Sequence, residues 1–123
     1  MNIKNLYLLF STAILALATL HMATTFRLSS SAAFKVWFFG AGMALALAGA
    51  LNLLNRRYGL AAFGLRVVCI VTNFLMVCFS GVAGRATSAS LAEQIVLATV
   101  LTLTLGLSVL PSAGISAESP GVK

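Results

Sequence analysis

Few residues in this chain can do chemistry, and their spacing limits what that chemistry can be. It has one histidine, His21, two glutamates, Glu93 and Glu118, and no aspartate. Ser-His-Asp triads are excluded outright, and carboxylate dyads fail because Glu93 starts a helix and Glu118 sits in a tail. Cys69 and Cys78 are nine residues apart. On a helix that spacing turns the thiols to opposite sides and separates them by ~13 Å of rise. A disulfide needs Cα atoms within about 7 Å, so both read as small apolar residues for helix packing. One His and one Glu fall short of the three or four ligands usual for zinc. No catalytic, metal or cofactor site is expected.

The remaining polar candidates are Asn52, Arg66 and Asn73, beside His21 and Glu93. All lie in strongly apolar sequence, where an unpaired polar group is costly. Asn73 is expected to hydrogen-bond across helices. Arg66 reads as a side chain snorkelling to headgroups beside Arg56 and Arg57, with contact to an anionic ligand or lipid headgroup as the sharper alternative. Asn52 belongs on the same membrane side as Arg66. His21 and Glu93 belong on the other side at similar depth, so a contact between them is geometrically open. His21 nevertheless falls on the Ile14/Leu17 face, opposite the Thr12/Ala16 stripe.

The elements that carry these groups are four apolar segments, Leu6–Phe26, Phe34–Leu54, Leu60–Val82 and Leu91–Leu110. Each is about 20 residues, the length that crosses a ~30 Å hydrocarbon core at 1.5 Å per residue. The chain of 123 residues is 60% hydrophobic and 8% charged, against about 25% charged for an ordinary soluble domain. A water-soluble fold is excluded. Short connections predict an all-α, up-down-up-down antiparallel bundle over residues 1–110, with Pro111–Lys123 as a flexible tail. The apolar run beginning after Lys4 is too long for a signal peptide and reads as an uncleaved first span.

The net charge of +6 is spread singly or as the pair Arg56-Arg57, mostly at segment ends. This suits interfacial anchoring and not a continuous phosphate-binding face, so nucleic acid is not an expected partner. With the N-terminus inside, the inner side holds Lys4, Arg56, Arg57, Arg66 and Lys123, and the outer side Arg27, Lys35 and Arg85. Both termini are therefore expected in the cytoplasm, with dual insertion as the alternative. Ser90-Leu91-Ala92-Glu93 has the form of a capping box and should start the fourth helix at Ser90. Tyr7, Trp37 and Tyr58 fall near segment ends, where amphipathic rings prefer the headgroup level.

Small residues mark where membrane helices approach closely. On the second helix Gly42, Ala46 and Gly49 share one stripe, and Gly40, Ala44 and Ala48 an adjacent one, which predicts a central place for this helix. Thr12, Ala16, Thr19 and Ala23 form the corresponding expected contact face on the first helix. Ala98, Thr99, Thr102 and Gly106 do so on the fourth.

Length and span number resemble the small multidrug resistance exporters, but the first segment lacks the membrane-embedded glutamate on which that family depends. Trp37-Phe38-Phe39-Gly40-Ala41-Gly42 through Asn52, with Leu20-His21 upstream, resembles uncharacterised small bacterial four-helix membrane proteins, broadly DoxX-like. That resemblance covers about half the chain and implies no particular functional residue. The expected role is non-enzymatic: an inner-membrane protein in contact with lipids, packed as a homo-oligomer or against another membrane protein. An oligomeric small-solute or ion transporter, with a pathway lined by Arg66, Asn73, Ser80 and the threonines of the fourth helix, is the alternative.

Overall fold

Three of the four helices start where a side chain takes up free backbone N–H groups. The computed structural model describes residues 2–87 and 89–115. Asn2 accepts from the Lys4 N–H and opens α1, Ile3–Thr25; Ser31 accepts from the Phe34 N–H and opens α2, Ala32–Tyr58. The third helix, α3, Phe63–Ala86, has no side-chain cap. Ser90 and Glu93 form the reciprocal capping box that the S-x-x-E spacing implies, and α4 follows over Leu91–Val109. Pro111, which lacks an N–H to continue a helix, starts a single 3₁₀ turn, Pro111–Ala113.

The protein is an all-α four-helix bundle, and all four helices are long and apolar enough to cross a membrane. Helix ends differ from the apolar segments by several residues. The second helix runs past Leu54 and takes Asn55, Arg56 and Arg57 into its last turn, and α3 continues through Arg85. Basic side chains in a last turn complement the partial negative charge of the exposed carbonyls, so these helices outlast their hydropathy. At its start α3 is later than expected, at Phe63, because residues 59–61 form a turn.

Contacts link α1 to α2, α2 to α3, α3 to α4, and α4 back to α1, with α1–α2 the most extensive. The helices thus form a ring of four, and α2 is one corner of it, not its centre. Successive helices meet start to end: Tyr7 of α1 reaches Asn52 of α2, and Trp37 of α2 lies against Phe79 of α3. An apolar cluster of Ile14, Ala18, Leu45 and Leu101 fills the middle. Large apolar side chains such as Leu47, Val36, Phe74, Leu75 and Val96 point outward. That pattern is stable where the surroundings are as apolar as the side chains, and the chain is accordingly a multi-pass membrane protein.

Two expected contact faces are reversed. Thr12, Ala16, Thr19 and Ala23 are exposed, while Tyr7, Ser11, Ile14 and Ala18 are buried. The threonines can face outward because Thr12 and Thr19 each donate to a carbonyl one turn back in their own helix. Likewise Ala98, Thr99, Thr102 and Gly106 are exposed, and α4 buries Leu101, Thr104, Leu107 and Ser108. The start of the expected tail is docked: Ala113 is buried with Tyr7 and Leu107, and the Ile115 N–H donates to the Arg56 carbonyl at 2.8 Å. Glu118, Lys123 and the rest of that tail lie outside the described residues.

Candidate functional site

One end of the bundle holds a buried polar knot to which α1, α2 and α3 each contribute side chains. Asn52, on the inward face of α2, is its hub. The Asn52 Nδ2 group donates to the Ala48 carbonyl and to Asn73 Oδ1, both at 2.8 Å. In return Asn73 Nδ2 donates to Asn52 Oδ1 at 2.9 Å, so the two amides clasp each other across α2 and α3. The same Oδ1 accepts the Tyr7 hydroxyl proton at 2.8 Å and lies 3.4 Å from the Cys69 thiol. Asn55 completes the knot, with Nδ2 donating to Tyr7 Oη at 2.9 Å. It also points toward the Ser108 carbonyl of α4, at 3.5 Å.

Local sequence explains the arrangement. Asn52 and Asn55 are three residues apart and Cys69 and Asn73 four, so each pair stacks on one helix face. Tyr7 lies one turn inside α1, and the antiparallel contact with α2 brings it to their level. Both amide protons of Asn52 are used, as are the Tyr7 proton and a lone pair. The knot is neutral and nearly saturated, which suits a fastener better than a reacting centre.

Of the sequence candidates, Asn52 and Asn73 meet each other. Tyr7 was expected at the headgroup level and is instead fully buried. Its hydroxyl finds two amide partners in the interior, which removes the reason to seek the interface. Cys69 is buried against these amides and Cys78 is exposed; both thiols are free. Tyr7, Asn55 and Cys69 are members that sequence reasoning missed; the i, i+3 and i, i+4 spacings were the available signal.

Arg66 lies in the first turn of α3 and donates to the Val109 carbonyl at the end of α4. A cation is unfavourable at the start of its own helix, but the neighbouring helix end supplies the opposite partial charge. Snorkelling therefore has a definite protein endpoint. Arg56 is tied similarly, with Nε donating to the Lys4 carbonyl at 3.0 Å.

At the opposite end His21 is half-buried, its ring stacked on Phe38 at 3.6 Å between centroids. It thus faces α2 and not away from the contact surface. Glu93 is exposed, its carboxylate accepting from the Ser90 N–H and hydroxyl, each at 2.8 Å. Along the α1–α2 seam, a Cβ placed on Gly42 would lie 2.6 Å from Met22 Cγ and 3.4 Å from the Ala18 carbonyl oxygen. One placed on Gly49 would lie 2.8 Å from Leu15 Cγ and 3.3 Å from the Leu15 nitrogen. Ala46 packs against the central apolar cluster. Gly40 borders an open apolar groove of about 420 Å³ between α2 and α3, with Trp37, Ala44, Leu75 and Phe79.

No model of a known protein family, no curated protein and no solved structure matches this chain.

Proposed function

We propose that this protein is a non-enzymatic helix-packing component of a bacterial inner membrane, joined to a second copy of itself or to another membrane protein. The observation that carries this reading is the outward face of α4. Ala98, Thr99, Thr102 and Gly106 are exposed there, and a Cβ on Gly106 would meet nothing within 4 Å. Small residues turned to lipid leave the helix backbone open to close approach by another helix.

The polar groups support the same role. Asn52, Asn73, Tyr7 and Arg66 are bonded within the fold. Arg66 and Asn73, two of the residues expected to line a transport pathway, are thereby occupied, which weighs against that alternative. The bias of basic residues toward the end with Lys4, Arg56, Arg57 and Arg66 supports cytoplasmic termini.

Single-molecule photobleaching in bilayers tests the reading, together with co-purification in mild detergent. Gly106→Leu should leave thermal stability within about 0.5 kcal/mol, since it touches nothing inside the chain. It should weaken association roughly tenfold or more, about 1.4 kcal/mol of lost contact. A chain that stays monomeric and partnerless in bilayers would sink the proposal.

A further inference from the structure

The knot has one loose end. Asn55 is 5% exposed, and its Oδ1 has no hydrogen-bond partner among the described residues. The orientation of its amide is fixed by its neighbours. Tyr7 has committed its proton to Asn52 and the Ser108 group is a carbonyl, so both need the Nδ2 side of Asn55. The carbonyl oxygen is the atom left over.

Asn55 lines a cavity of about 10 Å³ together with Tyr7, Gly59, Leu60, Arg66 and Ser108. That volume is close to the least that admits one water-sized group. Arg66 lines the same cavity, and of the five N–H donors its guanidinium carries, one is directed at Val109. We propose that this cavity is a binding site for a single hydroxyl group, which donates to Asn55 Oδ1 and accepts from the Arg66 guanidinium.

The chemistry selects the class of ligand. A metal cation would satisfy Asn55 but meet the charge of Arg66. Chloride would suit Arg66 and offer nothing to a carbonyl oxygen. An apolar group would satisfy neither. A hydroxyl both donates and accepts, and it is small enough. It would extend the bonded chain from Asn73, through Asn52, Tyr7 and Asn55, to Arg66 and the end of α4.

Two sources carry that chemistry, water and the hydroxyl of a lipid headgroup. The second is near at hand, because Lys4, Arg56, Arg57 and Arg66 gather at this end of the bundle and attract anionic lipids.

Solid-state NMR of the full chain in bilayers, reading proton polarisation transferred to individual side-chain amides, tests the site. In phosphatidylcholine, whose headgroup has no hydroxyl, a bound water should polarise the Asn55 amide several-fold faster than those of Asn52 and Asn73. Transfer to Asn55 from headgroup protons, seen only in phosphatidylglycerol, would support the site with the lipid as its source. Arg66→Leu should abolish the Asn55 advantage and leave Asn52 and Asn73 unchanged. If the wild-type Asn55 amide is as slow as the other two in both bilayers, the site does not exist.

Discussion

The two ends of the bundle are held by different physics. Around Tyr7, Asn52, Asn55 and Asn73, the helices are joined by directional bonds of 2.8–2.9 Å, and the segment after α4 is docked onto the same end. Around His21, Phe38, Trp37 and Phe79 they are joined by stacked and tilted rings. A hydrogen bond fixes register, because a shift of one residue moves its donor off its acceptor. A ring contact tolerates sliding. The knot end therefore specifies how the helices align, and the aromatic end fills space under that alignment.

Removing the hub should have the largest effect. Asn52→Leu leaves the Tyr7 hydroxyl without its acceptor and both Asn73 amide groups without their partner. Single interhelical bonds in membranes average about 0.6 kcal/mol and reach about 1.7. Several are lost here, with buried groups left unmatched, so a cost of about 2–4 kcal/mol is expected in equilibrium unfolding in detergent or bicelles. Asn73→Leu alone should cost about 0.6–1.7 kcal/mol. The double variant should cost clearly less than the sum, because the two residues share bonds. Strict additivity would mean that the amide clasp contributes nothing.

The seam between the two ends comes next. Gly49→Leu must displace Leu15, whose Cγ would lie 2.8 Å from the new Cβ, and crowd the α1 backbone behind it. Overpacking costs about 1–3 kcal/mol in soluble cores, and the same is expected here as lowered thermal stability. Gly40→Leu, on the same helix with nothing within 4 Å, should change stability by less than about 0.5 kcal/mol. Equal losses at the two positions would refute the assignment of the seam to Gly49.

These glycines also show how far the sequence could be read. Span number, helix capping at Ser90 and the need to pair mid-membrane amides follow from length, spacing and the cost of burying polar groups. Which face turns inward does not follow. In water a helix buries its apolar side, but here lipid and core are equally apolar, so hydropathy carries no direction. Small residues were the remaining signal, and they occur on both sides. Gly42 and Gly49 lie against α1, whereas Ala98, Thr102 and Gly106 face outward. Threonines misled in the same way, since Thr12 and Thr19 satisfy their hydroxyls within α1. The knot itself was half legible: Asn52 and Asn73 announce a need for partners. Tyr7 looked like an interfacial ring because its depth depends on how α1 and α2 align.

The smallest effect is expected at the aromatic end, where it separates shape from direction. The His21 ring lies nearly parallel to Phe38, with an interplanar angle of 20° and centroids 3.6 Å apart. Stacked aromatic pairs contribute about 0.5–1.5 kcal/mol beyond their buried area. His21→Leu should lose about that much stability. His21→Phe keeps a flat ring against Phe38 and should stay within about 0.5 kcal/mol of the wild type. The Glu93 carboxylate is already engaged by the Ser90 N–H and hydroxyl, so it does not depend on the imidazole for partners. Unfolding of both variants, measured beside Glu93→Gln, makes the distinction. If His21→Phe cost as much as Asn52→Leu and the loss vanished in the Glu93→Gln background, a directional His–Glu bond would hold this end too. The contrast between the two ends would then fail, because the far end would also be set by a bond and not by the fit of its rings.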